Sequence, residues 1–275
     1  MVMKTIPCVI MRGGTSKGVF FKKEDLPKEE AERDRVILKI FGSGDPMQID
    51  GLGGSHTHTS KTMIVWRPNR HDLDLEYTFG QVGIDKAFID YTGNCGNLTS
   101  AVPSFGIDEK IVEAREPYTL VRMYNTNTKK RIDAKVPVQD GSTKYEGDYW
   151  IDGVLNPGAR IDVKWYDPGG AVSGKLLPTG SSVDRIDTGV EVVEASIIDA
   201  SNPVVFVRAK DAGLTGRELP SEVDRDSQMK LERVRAKAAE IMGLVKEAKE
   251  AEEKSPHFPF IVTVGEKQDY KTLSG

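Results

Sequence analysis

A cysteine between two glycines, at a predicted strand-to-helix turn, constrains this fold most. An alternating apolar run ends at Asp90, the segment GNCGN follows at residues 93–97, and residues 98–102 can begin a helix. Glycines allow backbone N–H groups to approach a ligand closely, and the free N–H groups that open a helix attract anions and favour a thiolate. We therefore predict a carboxylate cradle beside a reactive Cys95. A buried cysteine that acts as a small hydrophobe is the alternative.

A second glycine-rich segment, RGGTSKG at residues 12–18, lies between two short apolar runs. The pattern predicts a β-hairpin whose tip offers backbone N–H groups, two hydroxyls and a guanidinium that can hold a carboxylate through two hydrogen bonds. It is not a Walker A loop, because Lys17 is followed by glycine rather than Ser or Thr. A turn without a ligand is the alternative, but the basic and hydroxyl side chains favour ligand contact.

Lys61 follows a third glycine-rich segment, residues 48–60, and opens the apolar run 62–66. A lysine at the entrance of an apolar strand can be partly desolvated, which lowers its pKa toward that of a general base. An ordinary solvated lysine is the alternative. His56 and His58 do not predict a metal site, because no third or fourth ligand clusters with them.

Length, charge and cysteine content exclude several classes of protein. The chain has 275 residues, enough for a large core and two domains, and its net charge of −4 disfavours nucleic acid and anionic membranes as partners. Two cysteines argue against a disulfide scaffold and suit a reducing compartment. No apolar run has membrane-spanning length, and no signal peptide is evident. We expect a cytoplasmic protein, and self-association into a homo-oligomer stays open.

Apolar periodicity predicts both helices and strands. Amphipathic patterns predict helices at residues 29–41 and 222–244, and a charge-rich continuation follows at 247–254. The stretch 153–168 is loop-rich, and we expect domains at residues 1–170 and 171–275. Strands are predicted at residues 6–11, 19–21, 62–66, 73–82, 87–90, 118–124, 132–138, 190–198, 204–209 and 258–264.

The motifs MRGGTSKGVFF at 11–21, IDGLGG at 49–54, TSK at 59–61 and GNCGN at 93–97 resemble the PrpF family of methylaconitate, methylitaconate and oxalomesaconate isomerases. LPTG at 177–180, IDASNP at 198–203 and KSP at 254–256 extend the resemblance along the whole chain. The methylitaconate delta-isomerase branch looks nearest, notably at residues 6–11 and 124–128.

The resemblance implies an α+β, diaminopimelate-epimerase-like fold: two similar domains, each a β-barrel-like sheet around a central helix, with the active site between them. Family members continue beyond Gly275, so we expect the second domain to be incomplete within this sequence. The implied reaction moves a proton and a double bond in an unsaturated di- or tricarboxylate of the methylitaconate, methylaconitate or aconitate type. No metal, nucleotide or flavin motif is evident, so no cofactor is expected.

The resemblance also assigns catalysis to Lys61 and Cys95, without indicating which is the acid and which the base. The predicted substrate-binding residues are Arg12, Gly13, Gly14, Thr15, Ser16, Lys17, Asn94, Gly96, Asn97, Thr179, Gly180 and Ser181.

Two other functions remain open. The first is a non-catalytic accessory partner of an aconitase-like dehydratase that only binds tricarboxylates. The second is an amino-acid racemase, which is disfavoured because such enzymes of this fold use one cysteine from each domain. Here Cys8 lies in the first predicted strand and no cysteine follows Cys95.

Overall fold

The structure is a computed structural model that describes residues 5–269, and these residues form two compact units. The first unit ends at Asp167 and the second begins at Pro168. The elements of the first unit are, in chain order, β1 (Val9–Gly13), β2 (Ser16–Lys22), α1 (Glu30–Phe41), β3 (Lys61–Trp66), β4 (Leu75–Val82), β5 (Ile89–Asp90), α2 (Gly96–Thr99), α3 (Val102–Asp108), β6 (Tyr118–Asn125), β7 (Lys130–Gln139), β8 (Ser142–Thr143) and β9 (Asp162–Trp165).

One large sheet organises the first unit. Within residues 5–269 it has nine strands, in the order β1-β2-β3-β4-β6-β7-β8, with β5 paired to β4 and β9 paired to β7. The predicted hairpin is confirmed, since β1 and β2 are antiparallel and Gly13 lies opposite Ser16. Strand β3 then returns parallel to β2 after α1. The glycine-rich hairpin tip and the start of β3 therefore belong to adjacent strands.

The two faces of this sheet bury different helices. Helices α2 and α3 contribute Leu98, Val102 and Phe105 to the main core, and none of these three side chains is more than 2% exposed. Helix α1 buries Ile37 and Phe41 in a separate cluster with side chains of β2 and β3. Each such side chain stabilises the fold by about 1.5–3 kcal/mol. The short helix that follows Cys95 is therefore held by a packed core.

The second unit is a four-stranded sheet with one long helix. Within the described part of the chain its strand order is β10 (Asp184–Asp187), β11 (Val192–Ala200), β12 (Asn202–Arg208) and β13 (Phe260–Val264). Strands β12 and β13 are parallel, and α4 (Arg225–Ile241) lies between them in the chain, where its Val234 and Ala238 pack into the apolar core. A short helix, α5 (Ala251–Lys254), precedes β13.

The α+β fold predicted from the sequence is confirmed, with differences in detail. The stretch 153–168, expected to be loop, contains β9, which pairs with β7. Its four residues are too few to show a clear alternation. The helix expected after Cys95 is divided into α2 and α3, with Pro103 in the first turn of α3. None of the helices between residues 5 and 269 has the length and apolar composition of a membrane span.

Candidate active site

Cys95 lies at the start of α2, in agreement with the predicted strand-to-helix turn. It is the N-cap residue, and its sulfur accepts a hydrogen bond from the Leu98 N–H group at 3.5 Å. The hydroxyl of Thr99 donates to the Cys95 carbonyl at 2.9 Å. The side chain is 8% exposed, and its sulfur lies 3.9 Å from Ser16 Oγ. The helix start therefore fixes the thiol against the hairpin tip.

The hairpin tip packs directly on the cysteine loop, and two glycines make this contact possible. A Cβ atom on Gly13 would lie 2.4 Å from the Asn97 carbonyl oxygen, and one on Gly14, where φ is +52°, would lie 2.2 Å from Asn97 Oδ1. The Asn97 amide donates to Thr15 Oγ1 at 2.9 Å and to Ser16 Oγ at 3.4 Å. Two loops that are far apart in sequence thus form one polar cluster.

Lys61, the first residue of β3, is next to this cluster. Gly18 lies between the two: a Cβ atom there would be 2.7 Å from the Lys61 carbonyl oxygen and 2.6 Å from Leu98 Cδ1. The Lys61 amine lies 5.3 Å from the centre of the Phe79 ring. Burial lowers the pKa of Lys61, and negative charge on Cys95 acts in the opposite direction. Lys61 is therefore a desolvated amine within electrostatic range of the Cys95 thiol.

Gln81 holds the Lys61 side chain, a role that no motif in the sequence indicates. The two residues are cross-strand partners on β3 and β4, and Gln81 Oε1 accepts a hydrogen bond from Lys61 Nζ at 2.5 Å. Gln81 Nε2 donates to the carbonyls of Thr57 at 3.0 Å and Ser60 at 2.9 Å. Only the strand register could reveal this pair, because the partners are 20 positions apart in the chain.

The glycine-rich segment before Lys61 packs against a buried side chain of its own. A Cβ atom on Gly53 would lie 2.2 Å from the side-chain amide carbon of Gln48. Gln48 is 1% exposed and donates to Ser60 Oγ at 2.9 Å. The close approach expected of these glycines is thus made to a buried side chain, and it positions the residue that precedes Lys61.

The two cations of the hairpin have different neighbours. Arg12 Nη1 donates to the Gly14 carbonyl at 2.7 Å, and Arg12 lines a cavity of about 250 Å³ together with Asn97 and Lys144. The Lys17 backbone N–H group donates to the His58 carbonyl at 2.8 Å. Arg12 therefore offers its charge to a cavity beside the cysteine loop.

Asn94 and Gly96 flank Cys95 in contrasting ways. Asn94 is buried, and its Oδ1 accepts hydrogen bonds from Asn125 Nδ2 at 2.6 Å and from the Thr99 hydroxyl at 3.3 Å. Gly96 is exposed, and the nearest atom to a Cβ placed on it would be 3.9 Å away. Asn94 thus has a clear structural role, and ligand contact by either residue stays a prediction.

Thr179, Gly180 and Ser181 lie on an exposed turn of the second unit. The Gly180 N–H group donates to the Leu177 carbonyl at 3.0 Å, and the Ser181 N–H group donates to Thr179 Oγ1 at 3.1 Å. Their contact with a ligand also stays a prediction.

The first unit therefore brings together an amine, a thiol and several neutral hydrogen-bond donors. Such a set can move protons on a bound anion, because the amine and the thiol can each carry a proton while hydroxyl and amide groups bind carboxylate oxygens. Among residues 5–269, no three His, Cys, Asp or Glu side chains are grouped as metal ligands.

Comparison with known proteins gives the family. The PrpF protein family matches residues 3–275. The 3-methylitaconate isomerase of Eubacterium barkeri is 47% identical over 271 residues, which are 98% of this chain and 71% of that protein. The 2-methyl-aconitate isomerase of Shewanella oneidensis is 40% identical over 287 residues, covering 98% of this chain and 72% of that protein.

A solved structure agrees with these relatives. The crystal structure of a methylitaconate-delta-isomerase matches with a TM-score of 0.75 at 48% identity, covering 98% of this chain and 70% of that one. The chain belongs to the PrpF family and is an isomerase, so both sequence predictions are confirmed.

Proposed function

We propose that the protein catalyses an allylic 1,3-proton shift in an unsaturated di- or tricarboxylate of the methylitaconate or methylaconitate type. The relatives' names supply the substrate class. The observation that carries the proposal is the desolvated Lys61 amine within electrostatic range of Cys95, beside the hydroxyl and amide cluster of the hairpin tip.

Lys61 acts as the base in this proposal. Its lowered pKa increases the fraction of free amine near neutral pH. A lysine with the usual pKa of about 10.4 is almost wholly protonated there and cannot act as a base. The amine removes a proton from the carbon that is conjugated through the alkene to a carboxylate. The C–H electron pair enters the allylic system, and negative charge grows on the carboxylate oxygens.

Thr15, Ser16 and Asn97 bind those oxygens, because fixed neutral donors stabilise charge that develops in the transition state. Cys95 then donates its thiol proton to the far end of the allylic system, which completes the shift of the double bond. Proton transfer from the Lys61 ammonium to the Cys95 thiolate restores both groups. The protons therefore balance over one turnover, with Lys61 as the base and Cys95 as the acid.

Proton NMR in heavy water tests the proposal. The purified protein is incubated with methylitaconate, methylaconitate, aconitate and, as a control, the saturated methylsuccinate. We expect migration of the double bond in at least one unsaturated acid, deuterium at the carbon that gains a proton, and no exchange in methylsuccinate. Binding of the acids by calorimetry without isomerisation or exchange would contradict the proposal and favour a non-catalytic tricarboxylate-binding role.

A further inference from the structure

Gln81 lies in the middle of a row of three polar side chains that crosses three strands. It is the register partner of Lys61 on β3 and also of Asp90 on β5. Directly paired residues in antiparallel strands project from the same face of a sheet. Lys61, Gln81 and Asp90 therefore share one face, with the neutral residue between the cation and the carboxylate.

The hydrogen bonds of Gln81 leave its amide only one orientation. Its Nε2 lies 3.0 Å from the Thr57 carbonyl oxygen and 2.9 Å from the Ser60 carbonyl oxygen. Turning the amide over would place Oε1, which can only accept, against two other acceptors. Because Gln81 is 7% exposed, water offers no easy substitute for these bonds. The side-chain carbonyl must therefore face Lys61 Nζ, 2.5 Å away.

Asp90 is kept at a distance by the same row. Neighbouring strands are about 4.8 Å apart, so the backbones of Lys61 and Asp90, two strands apart, are separated by about 10 Å. One Asp90 oxygen accepts a hydrogen bond from the Thr92 N–H group at 2.8 Å. Among the other titratable groups on neighbouring elements, Cys95 acts on the pKa of Lys61, and Lys17 on β2 precedes the start of β3 in the register. His56 and His58 lie in the loop before β3. Lys22 on β2 and Glu76 and Tyr77 on β4 lie beside the opposite end of β3.

We propose that Gln81 is the positioning residue for Lys61: its doubly anchored amide directs the lysine side chain and separates it from the Asp90 carboxylate. A neutral acceptor accepts a hydrogen bond from a free amine as well as from an ammonium. A carboxylate in the same place would stabilise the ammonium and keep the lysine protonated. The consequence for catalysis rests on the proposed function, whereas the effect on the protonation of Lys61 can be measured without it.

Gln81→Glu places a carboxylate where the amide is, and Gln139→Glu adds the same charge at an exposed position on β7 as a control. Trace acetylation with acetic anhydride over a pH series, read by peptide mass spectrometry, reports the free-amine fraction of Lys61. We expect the midpoint of Lys61 labelling to rise by about 1–3 pH units in Gln81→Glu and to stay unchanged in Gln139→Glu. An unchanged midpoint in folded Gln81→Glu would overturn the proposal.

Gln81→Met tests whether Gln81 positions Lys61 if the glutamate variant does not fold. Methionine has a similar length but removes the acceptor for Lys61 and both donors. We expect kcat to fall by about 10- to 100-fold, because a misplaced catalytic group is costly, with little change in KM. A folded Gln81→Met enzyme with wild-type kcat would overturn the proposal. If the wild-type protein shows no isomerisation at all, the proposed function fails, and the Gln81→Glu labelling midpoint still decides the role of Gln81.

Discussion

The surroundings of Lys61 and Cys95 differ in kind, although both residues lie beside the hairpin formed by β1 and β2. Lys61 opens a strand, is largely buried with its amine near the Phe79 ring, and is held by the amide of a strand partner. Cys95 caps a short helix, where its sulfur receives a backbone N–H group and lies next to a serine hydroxyl. Desolvation thus acts on the lysine, whereas local backbone geometry and the hairpin tip place the cysteine.

In the proposed mechanism, this difference makes Lys61 and Cys95 two unlike proton carriers. Burial favours the uncharged form of an amine, so the strand side of the site suits a base. A substitution that disturbs the surroundings of Lys61 or of Cys95 should therefore affect that residue more than the other.

Among variants of the cysteine loop and the hairpin tip, Cys95→Ser should have the largest effect on turnover. A hydroxyl is a much weaker acid than a thiol, so we expect kcat to fall by about 100- to 10,000-fold while the fold is kept. Cys8→Ser is the matched control, because Cys8 is the exposed cysteine. Steady-state rates and melting temperatures of both variants check this. Equal rates in the two variants would remove Cys95 from the mechanism.

Gly13→Ala should have the next largest effect, by separating the hairpin tip from the cysteine loop. The added Cβ would lie 2.4 Å from the Asn97 carbonyl oxygen, so the loops must move apart. We expect a loss of about 1–3 kcal/mol in the free energy of unfolding and a large loss of turnover. Gly96→Ala has room for its Cβ and should keep wild-type stability. Similar destabilisation in denaturant titrations of both variants would contradict this packing.

Arg12→Lys should have a smaller effect, chiefly on substrate binding. Lysine keeps the charge but loses the planar fork that holds a carboxylate through two hydrogen bonds. We expect about a tenfold increase in KM, corresponding to about 1.4 kcal/mol, with little change in melting temperature. A collapse in melting temperature with a normal KM would show that Arg12 is structural.

The pH dependence of stability should show the smallest effect. The pKa of Lys61 is below its ordinary value of 10.5, so between the two values the unfolded chain binds more protons than the folded one. The free energy of unfolding of the wild-type protein, relative to that of Lys61→Met, should therefore rise with pH within this window. Below the window it should be lower by about 1.4 kcal/mol per unit of pKa shift. Urea unfolding of both proteins at pH 7 and pH 10 measures it. A difference that stays constant would contradict the desolvation of Lys61.

The sequence predicted what depends on local chemistry. The hairpin at residues 12–18, the helix start after Cys95 and the strand that begins at Lys61 each follow from glycines and apolar runs within a few positions. The contact of Gly13 with Asn97 and the pairing of Gln81 with Lys61 could not be predicted, because both depend on sheet register and on loops distant in sequence. Strand β9 was missed because it is short and its partner lies far along the chain.

Solvent-proton exchange in Lys61→Arg tests whether Lys61 is the base. Arginine keeps the positive charge but does not give up its proton in proteins. The variant and the wild-type protein are incubated with the acid that the wild type isomerises, in heavy water, and deuterium incorporation is followed by proton NMR. Calorimetry checks that the variant still binds the acid. We predict that binding is kept while both exchange and isomerisation are lost. Substantial exchange in Lys61→Arg would show that Lys61 acts only as a cation, and would contradict the account.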